Sequence, residues 1–331
     1  MQPFRYDRAR EVEAASLAAR DGHSEFIAGG TDMLQLLKDG VRMPRRLLDI
    51  TALPGLARIE ASASGLTIGA LATMSDVAAH PDVATDYPAI AQALLASASP
   101  QIRNMATIGG NLLQRTRCVY FRDVSQACNK RAPGSGCAAI DGENRLHAVL
   151  GGSPDCVATH PSDLAVALVA LDAVVVAQGV RGGRRIPLEG FHRLPGGTPQ
   201  EETMLEPGEL IVAIEIPAAP AARRSLYRKQ RDRASFEFAL TAVAAALDLE
   251  DGKVRDARIA LGGVGTKPWR AREAERALIG AAPSPQSFEA AAMRALAQAR
   301  PLAHNGFKIA LAEAAIRRAL QTLLGSDQCP A

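Results

Sequence analysis

Apolar and polar positions along the chain switch between a strand-like and a helix-like period, and the switches fall at glycines. Glu25-Phe-Ile-Ala28 is a short apolar run broken by Gly29-Gly30-Thr31-Asp32. Met33-Leu-Gln-Leu-Leu-Lys38 then has helical spacing and stops at Gly40, and Arg46-Leu-Leu-Asp-Ile50 reads as a strand. Residues 4–50 therefore predict strand, helix, strand, turn, helix, strand. Gly65-Leu-Thr-Ile-Gly-Ala70 predicts a further strand, a helix capped near Thr73–Ser75 precedes Asp76, and another runs from Tyr87 to Leu95. Gln101-Ile-Arg-Asn-Met105 leads into Ala106-Thr-Ile-Gly-Gly-Asn-Leu-Leu113, a second Gly-Gly beside small polar residues.

Regular periodicity then fails until Leu164-Ala-Val-Ala-Leu-Val-Ala-Leu171, an apolar stretch that predicts a buried helix. Ala173–Ala177 and Leu210-Ile-Val-Ala-Ile-Glu-Ile-Pro217 predict strands, with a hairpin turn at Arg181-Gly-Gly-Arg184 and a boundary at 217–222. Beyond it, Tyr227-Arg-Lys-Gln230 and Phe238–Leu249 lead to Asp251-Gly252, a hairpin signal, and to a second strand over Val254–Leu261. Helices are expected at Ala271–Ile279, Pro285–Arg300 and Gly306–Leu324. Strands followed by helices suit a small α+β unit.

With 331 residues, 47% of them apolar, the chain has room for two or three cores. Basic and acidic residues nearly balance at 38 and 35, which argues against a nucleic-acid partner. No apolar run approaches the roughly 20 residues that span a bilayer, so no membrane role is expected. The first residues are polar and lead into an amphipathic helix from Glu11 to Arg20, not a signal peptide. A soluble chain with no export address of its own is expected, assembled in the reducing cytoplasm or carried to the periplasm by a partner. Five cysteines in so long a chain do not suggest a disulfide scaffold.

Two features carry chemistry. Glycine pairs after a strand let backbone N–H groups approach an anion closely, with Thr31 or Asp32 available to cap the next helix. A plain strand-to-helix turn would look the same, but two such loops in one chain favour a paired phosphate cradle. Neither a Rossmann nor a P-loop glycine pattern occurs. The second feature is the aperiodic stretch itself, which holds Cys118, Cys128, Cys137 and Cys156 at Cys-x9-Cys-x8-Cys-x18-Cys spacing. A loop this long needs something to hold it. Zinc sites favour closer pairs and compact ferredoxin runs are missing, so spacing alone leaves a cluster beside unligated buried cysteines. Arg115, Arg117, Arg122, Lys130, Arg131 and Arg145 outnumber Asp123, Asp141 and Glu143, which suits an anionic iron–sulfur core. Gly134, Gly136, Gly151 and Gly152 could bring N–H groups to sulfur. Cys329 lies apart from the group, and His160, beside Pro161, is expected to pack near the helix start. No nucleophile–base pair stands out.

Ile27-Ala-Gly-Gly-Thr-Asp-Met-Leu34, Thr107-Ile-Gly-Gly-Asn111, Ser162-Asp163, Glu215-Ile-Pro217 and Lys229 follow one another in an order that resembles the FAD-binding medium subunits of the xanthine dehydrogenase and molybdenum hydroxylase family. Gly262-Gly-Val-Gly265 with Pro268-Trp-Arg-Ala271 resembles their C-terminal domain. The resemblance implies an α+β chain: a two-part FAD-binding domain of the PCMH (vanillyl-alcohol oxidase-like) type at 1–52 and 53–220, and a small α+β domain at 221–331. Ile27, Ala28, Gly29, Gly30, Thr31, Asp32, Met33 and Leu34 would wrap the FAD pyrophosphate. Thr107, Gly109, Gly110 and Asn111 would contact its other side, Asp163 a polar edge, and Ile211 and Lys229 the flavin ring. A cation there stabilises an anionic reduced flavin, with Arg228 a rival to Lys229.

A cysteine-rich insertion, here about 115–158, ligates a [4Fe–4S] cluster in two branches of the family. One is the three-subunit bacterial aldehyde oxidoreductase, whose middle subunit this chain resembles most; the other is 4-hydroxybenzoyl-CoA reductase. The first implies a heterotrimer with a large molybdenum-cofactor subunit that oxidises an aldehyde and a small subunit carrying two [2Fe–2S] clusters. A cofactor-free scaffold stapled by zinc is the reading of another class.

Overall fold

The computed structural model describes residues 2–325, so Cys329 lies outside the described residues. Strands β1 (Arg5–Arg8), β2 (Ser24–Ile27) and β3 (Arg46–Asp49) form a parallel sheet in the order β1-β3-β2. Parallel neighbours need crossovers, and helices Val12–Ala19 and Met33–Lys38 supply them. Leu37 on the second helix closes over Ile27 and Leu47. That contact fixes where the Gly29-Gly30 turn emerges from the sheet.

The next sheet is antiparallel. It contains β4 (Ile59–Ser62), β5 (Gly65–Gly69), β6 (Val174–Gly179), β7 (Gly182–Pro187) and β8 (Leu210–Pro217), in the order β4-β5-β8-β6-β7. Helices Met74–Ala79, Pro88–Leu95 and Asp163–Ala170 share its core with Ile68, Ile214 and Ile216. Every residue of the 163–170 helix is buried, as its unbroken apolar sequence requires. Ser162 caps it, accepting from the Ala165 N–H at 2.9 Å.

A second antiparallel sheet follows in the order β12-β11-β10-β9, from β9 (Ser225–Gln230), β10 (Thr241–Glu250), β11 (Lys253–Gly262) and β12 (Trp269–Arg270). Both residues of the Asp251-Gly252 turn have positive φ, 50° and 73°, which is what a tight hairpin of this hand demands. Alternation along β10 buries both faces. Ala242, Ala244 and Ala246 meet the core around the 163–170 helix, while Val243, Ala245 and Leu247 meet the helices Arg272–Leu278, Pro285–Ala295 and Phe307–Gly325. No helix among the described residues is long and apolar enough to cross a membrane.

Between the short helix Ile108–Leu112 and Asp163, regular structure is limited to the one-turn helix Val119–Arg122. Side-chain amides organise this stretch. Asn129 donates to Asp155 and accepts from the Gly136 N–H, and Asn144 donates to the carbonyls of Ile140 and Gly142 while accepting from the His304 N–H.

Candidate cofactor site

Both glycine pairs open into one cavity of about 1460 Å³, walled by Ile27–Met33, Thr107, Gly109–Asn111, Asp163, Ile211 and Lys229. Leu34 does not line it; its side chain packs behind Gly30 and is 45% exposed. The loops are shaped by direct contact with each other. A Cβ on Gly29 would stand 1.8 Å from the Met105 carbonyl oxygen, just ahead of the second loop, so only glycine fits. Gly30 has φ +72°, and the N–H groups of Gly30, Thr31 and Asp32 donate to no protein acceptor among the described residues. Thr107 caps the 108–112 helix by accepting from the Gly110 N–H at 3.3 Å. A Cβ on Gly109 would press on Ala70, whereas one on Gly110 would meet only the Thr107 hydroxyl. Asn111 is 7% exposed and already engaged, accepting from the Ser162 hydroxyl.

At another wall of the cavity lies a buried polar knot. The Asp163 carboxylate accepts from the Ser97 hydroxyl at 2.8 Å, the Lys229 ammonium at 2.7 Å and the Tyr227 hydroxyl. Lys229 also donates to the Ala96 carbonyl, and its side chain is only 4% exposed. Burial, and then the Asp163 charge, push the Tyr227 phenol well above its usual value. Strand alternation puts Tyr227 and Lys229 on one face of β9, and Lys229 rather than Arg228 lines the cavity. Ala98, which nothing in the sequence marks, also lines it and holds a left-handed φ of 51°. Strain of this kind gathers at functional sites.

Asp32 departs from its expected role. It makes no side-chain cap on the helix it precedes. Instead its carboxylate accepts from the Arg115 N–H at 2.7 Å and Arg122 Nη2 at 2.9 Å, and pairs with Arg117 at 2.9 Å. The first glycine loop is thus tied to the start of the cysteine stretch. The excess of basic residues in that stretch is likewise answered from outside it. Lys130 and Arg115 pair with Glu202 and Arg145 with Asp232; the exception is Arg131, which donates within the stretch to the carbonyls of Tyr120 and Phe121.

Cys118, Cys128, Cys137 and Cys156 are free thiols, the second and fourth buried. Cys128 and Cys137 are bridge partners across two short antiparallel segments. Cys118 and Cys128 pack together against Phe121, Cys128 bridges to Cys137, and Asn129 donates to Asp155 beside Cys156, so the four cysteines share one neighbourhood. Burial pushes the Cys118 thiol up to about 12 and raises Cys156 as well. The Phe121 N–H, close to Cys118, donates to the carbonyl of that residue at 3.1 Å. Gly134 and Gly136, at φ +84° and +94°, serve turns with open space around them, and the Gly136 N–H is taken by Asn129 rather than by sulfur. Among the described residues, no group of three or more His, Cys, Asp or Glu side chains is arranged to hold a metal ion. His160 packs edge-on against His192, ring centroids 4.2 Å apart, as its place near the helix start predicted.

Fold and cavity have their counterparts among the flavin-binding domains of the molybdenum dehydrogenases. The family model for the FAD binding domain in molybdopterin dehydrogenase matches residues 2–219, and that for the CO dehydrogenase flavoprotein C-terminal domain matches 225–323. An aldehyde oxidoreductase FAD-binding subunit of Escherichia coli is 49% identical over the full length of both chains. The carbon monoxide dehydrogenase medium chain of Hydrogenophaga pseudoflava is 28% identical, over 96% of each chain. A solved structure of carbon monoxide dehydrogenase from Hydrogenophaga pseudoflava aligns at TM-score 0.76 and 26% identity, covering 98% of this chain and 99% of that one. The chain belongs to the FAD-binding medium subunits of the xanthine dehydrogenase family.

Proposed function

We infer that this chain is the FAD- and [4Fe–4S]-carrying electron-transfer subunit of a molybdenum-dependent aldehyde oxidoreductase. The observation that carries the reading is the 49% identity across the whole chain to an aldehyde oxidoreductase FAD-binding subunit. The partners are a large molybdenum-cofactor subunit, where the aldehyde is oxidised, and a small subunit with two [2Fe–2S] clusters.

When bound, FAD would supply the exchange between one-electron and two-electron transfer that lets the subunit serve an external acceptor. Ile27–Met33 form one half of its cradle, with the free N–H groups of Gly30, Thr31 and Asp32 as anion donors. Thr107, Gly109 and Gly110 form the other half, while Asn111 keeps that half seated on Ser162. Ile211, 5% exposed on β8, offers an apolar surface to the ring. Lys229 places positive charge beside it, and Asp163 with Tyr227 holds that charge in one position.

The four free cysteines fit a [4Fe–4S] cluster by donor type and by their common neighbourhood. A four-iron core binds each thiolate at a different iron, so its ligands stand further apart than those of one ion. A coordinated thiol is deprotonated outright, which overrides the raised values of the metal-free chain.

Two measurements test the reading. Acid precipitation of purified protein should release free flavin, and flavin retained in the pellet contradicts a non-covalent site. Anaerobic protein should contain about four irons and four sulfides per chain, lost in Cys156→Ser but kept in Cys329→Ser. Zinc in place of iron, or a full cluster in Cys156→Ser, sinks the cluster assignment.

A further inference from the structure

His147 takes no part in the polar knot around Asp163, yet it is 4% exposed and its Nε2 lies 3.1 Å from Cys118 Sγ. Its other ring nitrogen, Nδ1, is buried with no partner among the described residues. A neutral imidazole carries one N–H. With the proton on Nδ1, a donor would be buried unpaired. With it on Nε2, the donor meets sulfur and only an acceptor is left over, the cheaper orphan. A thiolate accepts and cannot donate, so the Nε2–H tautomer is the one that suits Cys118 in its metal-binding form.

The ring is held from a distant part of the chain. Lys308, wholly buried at the start of the 307–325 helix, donates to the carbonyls of Leu146 at 3.1 Å, His147 at 3.0 Å and Gly263 at 2.6 Å. Asn305 donates to the carbonyls of His147 and Ala148, both at 3.2 Å. The His147 N–H closes a turn onto the Asn144 carbonyl at 2.9 Å. Nothing in this clamp requires a histidine at 147 unless the ring itself has a task.

The geometry points to His147 as a positioning residue that donates Nε2–H to the Cys118 thiolate and so raises the reduction potential of the iron–sulfur cluster. The inference rests on the cluster reading above. Its physical basis is that an added electron deepens the negative charge on the ligand sulfur. The N–H···S bond is therefore stronger in the reduced state than in the oxidised one.

The test is an EPR-monitored redox titration of the full chain with the subunits that copurify with it, following the low-temperature four-iron signal. His147→Leu, carrying the full iron content, should shift the oxidised-to-reduced ratio at fixed potential about tenfold toward oxidised, about 59 mV for one electron. His147→Gln, which keeps an N–H at similar reach, should recover most of that shift. A role in packing alone would lower iron content or thermal stability and leave the potential of the remaining clusters where it was, and an unchanged potential in fully loaded His147→Leu overturns the proposal. Should that variant fail to fold or load, wild-type protein with 15N-histidine decides. Pulsed EPR of its reduced cluster should show a weak histidine-nitrogen coupling, and no coupling in iron-replete protein overturns the proposal. Wild-type protein without iron would instead defeat the cluster reading, and this inference with it; metal analysis tells the two failures apart.

Discussion

The flavin cleft and the cysteine stretch sit side by side but reach their shapes by different means. In the cleft, main chain leans on main chain. Gly29 is a glycine because the Met105 carbonyl occupies the place of its Cβ; Ile27 seats the first loop on one apolar cluster and Ala106 seats the second on another. In the cysteine stretch, Gly134 and Gly136 have nothing within 4 Å of a Cβ and are required only by their positive φ. Asn129, Asn144 and Lys308 do there what packing does in the cleft. A glycine thus carries opposite meanings in the two regions, and the difference teaches where each will break.

Gly29→Ala should have the largest effect. No flexible side chain can yield to the new methyl, so the overpacking should cost about 3 kcal/mol or more, read as a lowered denaturation midpoint together with lost flavin. Gly110→Val should separate cofactor from fold, because its Cβ meets only the Thr107 hydroxyl. Flavin absorbance should vanish while circular dichroism is retained, and full occupancy in the folded variant would remove this loop from the site. Asp32→Ala should damage both regions at once, lowering flavin and iron contents together, since Arg115, Arg117 and Arg122 lose a shared carboxylate. Loss of one cofactor alone would break the coupling between the regions. Acid should weaken the second glycine loop. Burial drives His192 from 6.5 down to about 4, where its Nε2 meets the Leu112 carbonyl. The unfolded chain therefore binds more protons between those values, so the stabilisation is complete above pH 6.5 and is lost as pH falls toward 4. A urea midpoint flat across pH 7 to 4 would contradict this. Gly134→Ala should cost least, about 1 kcal/mol from its backbone conformation, with flavin retained.

Much of this architecture is legible from period and punctuation. Leu210–Pro217 is a strand over the same residues the alternation marks, and Asp251-Gly252 turns where its composition says. Local signals stop at pairings between distant residues. The edge strand Ile59–Ser62 and the two-residue strand Trp269–Arg270 are too short and mixed to show a period. Asp32 looked like a cap because it precedes a helix, but its partners lie 83 and 90 residues away. Ala98 carries no mark of its left-handed backbone. The charge excess around the cysteines could be counted from the sequence, whereas its neutralisation by Asp32, Glu202 and Asp232 could not. Nor could alternation be used to choose between Arg228 and Lys229 before the facing strand was known.

The reach of Asp32 also sets an order of events during synthesis. The N-terminal sheet and its turn are complete within the first 49 residues, yet the carboxylate that anchors the turn has no guanidinium to hold until residue 117 has emerged, and its full set of partners only with residue 122. Closing so long a segment is entropically slow compared with forming the helices between. The nascent cradle is therefore half-built through much of translation, and it becomes competent to capture a dinucleotide only when the cysteine stretch is laid against it. On the proposed function, flavin and iron insertion would share one gate, and a defect in either supply should be felt by the other.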